Sequence, residues 1–218
     1  AGCVDSTAKN FTVNGSIPVA DFAILPTNGL CSNRPAQIQN KSTVDFGSIT
    51  RVEIYWDLDN NPTVFDVDEE PAFNKIYSHQ YPNFQSPLTR NFRIRFRAFS
   101  GGTCVDDEIK TITINASPLT QFLPMPAICL DAVPRQITEA SELGGLAGTG
   151  VFSGPGVSAT GLFNPAVAGV GTHTLRYTFT ANNGCTMFSE QTIEVWPRPV
   201  ADFVSLLPSC EKNAVGFT

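Results

Sequence analysis

With 218 residues the chain is long enough for one large domain or two of ordinary size. Charged residues make up only 16%, against about 25% in an average domain, and the net charge is −6 with no basic run; nucleic acid is therefore a poor partner, because phosphate binding needs clustered Lys and Arg. No apolar stretch approaches the roughly 18–20 residues of a membrane span and no signal peptide is visible, so no membrane insertion is expected, and a mature secreted fragment would read the same way.

Strand signals dominate along the chain. Arg51-Val52-Glu53-Ile54-Tyr55-Trp56 alternates with Val52, Ile54 and Trp56 on an inner face and Tyr55 outward. Arg90 to Phe99 alternates without a break, with Phe92, Ile94, Phe96 and Ala98 on one side and Arg93, Arg95 and Arg97 on the other. The best helix candidate, Ile137 to Leu146, is cut short by Gly144-Gly145. His173 to Phe179 and Thr192 to Val195 alternate again. Short strands with many Gly and Pro between them predict an all-β chain of tandem immunoglobulin-like sandwiches.

A repeat organises these strands. Cys3-Val4-Asp5 through Phe11-Thr12-Val13 to Ser16 aligns without a gap with Cys104-Val105-Asp106 through Ile112-Thr113-Ile114 to Ser117-Pro118, at an offset of 101 residues. A third copy runs from Gly184-Cys185 through Ile193-Glu194-Val195 to Pro199-Val200-Ala201-Asp202-Phe203, 81 residues after the second. Each copy reads as the last strand of one unit, a Pro hinge, and the first strand of the next, since Pro cannot continue a ladder. The expected units are 18–117 and 118–198, with 1–17 the last strand of a preceding repeat and 199–218 the first strands of a following one, truncated inside a second strand at Phe217-Thr218.

The six cysteines fall into two types. Cys3, Cys104 and Cys185 stand before the last strand of a unit, and Cys31, Cys129 and Cys210 stand after the first. The simple pairing is within units, Cys31–Cys104 and Cys129–Cys185, each bridge contributing roughly 4 kcal/mol by loop closure and implying an oxidising compartment. A rival follows if the first strand spans the sandwich: early and late cysteines of one unit then lie at opposite ends, and Cys31 pairs with Cys185. Zinc fits poorly, because no Cys-x-x-Cys pair occurs and the two histidines lie apart in sequence.

At this point the residues resemble known families. Ala20-Asp21-Phe22, Trp56-Asp57-Leu58-Asp59 and Tyr77-Ser78-His79-Gln80-Tyr81-Pro82 make the first unit similar to a polycystic-kidney-disease (PKD) repeat, with a departure in that no Gly follows Leu58. Phe152-Ser153-Gly154-Pro155-Gly156-Val157, Phe163-Asn164-Pro165-Ala166, Ala168-Gly169-Val170-Gly171-Thr172 and Asn183-Gly184-Cys185 make the second unit resemble the Gly-rich Ig-like repeat of large Bacteroidota surface proteins. The resemblance implies a gliding-motility-associated adhesin or other cargo of the type IX secretion system, attached at the outer membrane. Its implied partners are neighbouring repeats, surface glycans or other surface proteins.

No catalytic constellation is legible, and the chain reads as non-enzymatic. His173 stands on an apolar strand face, where a satisfied side chain is the ordinary outcome. Gly154-Pro155-Gly156 lacks the Lys and Ser/Thr of a phosphate loop. Asp57, Asp59, Asn61 and Asp68 have the alternation of a Ca²⁺ loop, but Pro62 replaces the needed Gly, so a solvated acidic turn competes with calcium as the reading. No other cofactor is indicated. The stripe of Arg93, Arg95 and Arg97 fits either acidic glycans or a solvent face paired across to Glu53. Asp5-Ser6-Thr7 resembles the Bacteroidota O-glycosylation pattern, with Ser6 the acceptor. A rival function is an accessory carbohydrate-binding or spacer module of a polysaccharide-degrading enzyme. Exposed, coplanar Trp or Tyr would favour it.

Overall fold

The computed structural model describes residues 2–10, 16–26 and 29–202. The chain resolves into two compact units: Ala1–Leu119 with Leu143–Thr149 and Thr180–Met187 form the first, and Thr120–Glu142, Gly150–Phe179 and Phe188–Thr218 the second. Both are β structures of the immunoglobulin-like sandwich class.

The first unit holds β1 (Phe22–Leu25), β2 (Ala36–Asn40), β3 (Arg51–Tyr55), β4 (Asp66–Asp68), β5 (Ile76–His79), β6 (Thr89–Ser100) and β7 (Cys104–Asn115). One sheet runs β1-β2-β5 and the other β4-β3-β6-β7. With strands lettered in chain order this is A-B-E against C′-C-F-G, the sandwich plan in which the fourth strand joins the C-F-G sheet. The alternation in β6 does what the period of two demands: Ile94, Phe96 and Ala98 are buried between the sheets while Arg93 stays in solvent. β6 and β7 pair along their whole length, from Thr89↔Asn115 to Ser100↔Cys104. Phe22 of the first sheet stacks on Phe96 of the second with centroids 5.7 Å apart, and both are fully buried. Burying two such rings stabilises the unit by roughly 2–3 kcal/mol each.

The rest of the chain adds β8 (Thr120–Phe122), β9 (Ile128–Cys129), β10 (Arg135–Gln136), β11 (Ala140–Glu142), β12 (Gly148–Ser153), β13 (Leu162–Phe163), α1 (Pro165–Ala168), β14 (Gly171–Ala181) and β15 (Thr186–Trp196), which form the second unit except for the start of β12 and the β14–β15 tip, counted with the first. Its main sheet runs β12-β14-β15-β9, with β9 parallel to the end of β15. β10 and β11 are two stretches of one course of chain. The first pairs with β13 and the second with β8, and between them Ile137 N–H donates to Gly161 O and Leu123 N–H to Glu139 O, both at 2.9 Å. The A-B-E and C-F-G frame of the first unit is therefore repeated, with shorter strands in its A-B-E sheet.

Two expectations change. Residues 140–142 are a strand, so the candidate helix at Ile137 to Leu146 does not form. Backbone pairing to β8 satisfies that segment, and ten residues with a Gly-Gly break are too few for a stable helix without packing. The helix among the described residues is the single turn α1, where Asn164 accepts from Ala166 N–H and Pro165 takes the first position. Residues 2–10 carry no strand. The remainder of the strand expected before Ser16, residues 11–15, lies outside the described residues, as do 203–218 of the truncated repeat.

Candidate functional site

The cysteines are the feature with chemical consequence. The bond in the structure joins Cys31 to Cys185, with Cα atoms 5.7 Å apart at a sequence separation of 154. This corrects the within-unit pairing of Cys31 with Cys104 and of Cys129 with Cys185: Cys104 and Cys129 are free thiols, Cys129 exposed and Cys104 half-buried. Strand length is the reason. Cys31 forms a parallel bridge with Asn115 at one end of β7, while Cys104 opens β7 at the other, a 12-residue strand spanning about 36 Å. Cys129 pairs with Trp196 at the end of β15, whereas Cys185 precedes its start. A disulfide tolerates a Cα separation of only about 7 Å, so neither within-unit pair can close.

Within the first unit, hydrogen bonds hold the tip of the β14–β15 hairpin around that bond. Asn33 Nδ2 donates to Thr186 O at 2.9 Å, and Asn183 Nδ2 donates to Ala116 O at 2.8 Å. Ser117 Oγ fixes the Asn33 amide by donating to Oδ1 and accepting from Asn33 N–H. The bonded sulfurs are enclosed, with Cys31 7% and Cys185 0% exposed. Sequence reading did not single out Asn33. The Asn183-Gly184-Cys185 turn was visible as a motif, but nothing in it announced Ala116 as the partner.

The four calcium candidates do not converge. Asp57 closes its own turn by accepting from Asn60 Nδ2 at 2.9 Å and Asn61 Nδ2 at 3.2 Å. Asp59 pairs with Arg93 at 2.9 Å. Asp68 accepts from Lys75 Nζ and Tyr77 OH, each at 2.7 Å, and from Glu70 N–H. A calcium ion needs six or more oxygens at 2.3–2.6 Å from one point, and here donors of the same chain occupy them. Burial pushes the Asp68 carboxyl up, but the bonds from Lys75, Tyr77 and Glu70 outweigh it and hold it below the usual carboxylate range. No group of three or more His, Cys, Asp or Glu among the described residues is placed to hold a metal.

Two of the three stretches that carried the first unit's resemblance, Trp56–Asp59 and Tyr77–Pro82, pack into one cluster. Trp56 stacks on His79 at 5.0 Å, His79 meets the edge of Tyr81 at 4.7 Å, and Tyr81 stacks on Phe92 at 4.0 Å. Trp56 Nε1 donates to Asp66 and Tyr81 OH to Trp56 O, both at 2.7 Å. Burial pushes the His79 imidazole below its ordinary pKa, against the pull of Asp66 and Asp57. Tyr55, expected to face outward, is buried: Arg95 lies 3.8 Å over its ring and its hydroxyl donates to Glu53. The arginine stripe is largely spent on the protein itself. Arg97 stands directly opposite Glu53 in the β3–β6 register, as expected, while its guanidinium binds Asp107 through Nε at 2.6 Å and Nη2 at 3.0 Å and Glu53 accepts from Arg51 and Tyr55. His173 is half-buried with Nε2 2.8 Å from Gly169 O, a satisfied structural histidine. Ser6 is exposed.

No family model and no curated protein matches this chain. Among solved structures it is similar to fibronectin(III)-like modules of Clostridium thermocellum CbhA, at 12% identity and TM-score 0.33, covering 81% of this chain and 95% of that one. It is also similar to Drosophila N-cadherin EC1-3, at 14% and 0.31, covering 85% and 69%. The insect immune protein hemolin matches at 12% and 0.36, covering 87% of this chain and about half (49%) of that one. Scores this low add no argument to the strand order already described, which carries the fold by itself.

Proposed function

We propose that the chain is a non-catalytic, structural and adhesive repeat segment of a large secreted or cell-surface protein, serving as a semi-rigid stalk or filament. The Cys31–Cys185 bond is the observation that supports this most, for two reasons. A persistent disulfide belongs to an oxidising compartment. The bond also joins cysteines of consecutive sequence repeats, so tension entering before Cys31 and leaving after Cys185 passes through one covalent link, bypassing the intervening hydrogen bonds. A tether benefits from that arrangement and a catalyst has no use for it. Attachment at the outer membrane, export by type IX secretion and a part in gliding are the finer form of this reading, resting on the resemblance in sequence. Ser6 is its glycosylation candidate. No described helix is long and apolar enough to cross a membrane.

Cells lacking the protein, compared with cells displaying it, are expected to lose attachment under flow severalfold; unchanged attachment contradicts the adhesive role. The accessory-module alternative draws on an open groove beside the acidic turn, lined by Asn60, Asn61, His79, Tyr81, Arg90 and Phe92. Tyr81 is only 3% exposed and Phe92 is half-buried beneath it, which leaves no flat platform for a sugar ring. Specific hits on a glycan array, lost in Arg90→Ala, would promote that alternative.

A further inference from the structure

The second unit reproduces the surroundings of Cys31 at Cys129. Leu30-Cys31-Ser32-Asn33-Arg34-Pro35-Ala36-Gln37-Ile38 corresponds to Ile128-Cys129-Leu130-Asp131-Ala132-Val133-Pro134-Arg135-Gln136-Ile137, with one residue inserted. The backbone agrees bond for bond. Cys31 is bridged in parallel to Asn115 and Cys129 to Trp196. Ser32 N–H donates to Asn115 O and Leu130 N–H to Trp196 O, both at 2.9 Å; Arg34 N–H donates to Cys31 O and Ala132 N–H to Cys129 O, both at 3.0 Å. The hairpins agree as well. Ser100 pairs with Cys104 across the β6–β7 turn, and Ala181 N–H donates to Cys185 O across the β14–β15 turn, with three residues between partners in each case. One pair of these equivalent cysteines is bonded and enclosed. In the other, Cys129 is an exposed thiol beside Trp196, 52% exposed, and Val133, 81% exposed.

We propose that Cys129, with Leu130, Val133 and Trp196, is a receptor for the tip of a β-hairpin from another repeat of this kind, closed by a disulfide to the cysteine that opens the hairpin's second strand. Cys104 is the reciprocal donor. Repetition of the bond makes a ladder in which the early cysteine of each repeat holds the late cysteine of the next. The proposal rests on the tandem-repeat reading above. The chemistry is thiol–disulfide exchange with a low-molecular-weight disulfide such as oxidised glutathione. One S–S bond forms between Cys129 Sγ and the hairpin Sγ. The small disulfide is cleaved to two thiols that take up the two protons and two electrons the cysteines release.

The test uses the full 218-residue chain carrying Cys3→Ser and Cys210→Ser, with the β6–β7 hairpin of a second copy as the probe. In a glutathione redox buffer the expected product is a ladder of covalent oligomers on non-reducing electrophoresis, yielding Cys104–Cys129 peptides between chains. Cys129→Ser and Cys104→Ser should each lower the ladder at least tenfold, and Trp196→Ala should slow its formation severalfold by weakening docking. Cys104 and Cys129 still fully alkylatable, or symmetric Cys104–Cys104 and Cys129–Cys129 products in equal amount, would overturn the proposal while an intact Cys31–Cys185 peptide leaves the repeat reading standing. Loss of the Cys31–Cys185 peptide would overturn both.

Discussion

The two units place different fillings in one frame. The first packs large rings between its sheets: Phe22 on Phe96, Tyr77 beside Phe96, and the run Trp56, His79, Tyr81 and Phe92 at one flank. The second uses fewer rings and brings backbone close to side chain. A Cβ on Gly150 would meet the Tyr177 hydroxyl at 2.2 Å, and one on Gly154, at φ +133°, would meet Thr174 O at 2.7 Å. The A-B-E and C-F-G order is thus indifferent to how the interior is filled, provided each filling is consistent with itself. Gly-rich sequence in the second unit is a packing device there and no mark of a ligand loop.

Substitutions that touch one filling at a time sharpen this contrast. The largest effect is expected for Phe96→Ala, at about 3–5 kcal/mol, because the ring is fully buried between the sheets of the first unit. Calorimetry should show the first unit's transition falling by tens of degrees or vanishing while the second unit's transition persists. Cys31→Ser should cost about 2–5 kcal/mol, since the bond closes a loop of 154 residues, and chemical reduction of the unaltered protein should match it. In single-molecule pulling the same reduction should lengthen the fully extended chain by roughly 50 nm, the reach of the loop the bond had withheld. Gly154→Ala should cost about 1–3 kcal/mol and act on the second unit alone, through the strained φ and the approach to Thr174 O. A transition of the first unit that moved with it would break the comparison.

The smallest effect is on pH dependence. His79 has its pKa lowered in the fold, so the unfolded chain binds more protons below about pH 6.5, and stability present above that pH is lost as pH falls through the folded value. Asp68 is lowered as well, so its contribution holds above about pH 4 and is lost in stronger acid. His79→Gln should flatten the first of these two declines in acid titrations of the first unit, and Asp68→Asn the second.

Much of the frame was legible from alternation. β3, β6, β14 and β15 stand where the period of two places them, because one buried face imposes that period directly. β11 was not, since Thr138 to Glu142 has no alternating apolar face and owes its conformation to pairing with β8. Tyr55 was misplaced because alternation reports which face a residue takes and not what covers that face. Arg95 and Phe65 cover it here. The acidic turn looked like a cation site because spacing along the chain is silent about Arg93, from β6, and Lys75, just before β5. The disulfide was open for the same kind of reason: cysteine type follows from the repeat, but which cysteines meet depends on strands whose length separates the ends of a unit by more than 30 Å.

Non-reducing peptide mapping of the oxidised protein tests the central claim most directly. The expected product is a peptide pair joined through Cys31 and Cys185, with no Cys31–Cys104 species. A Cys31–Cys104 pair would contradict it, returning the bridge to a single sequence repeat and removing the covalent link between consecutive repeats on which the tether rests.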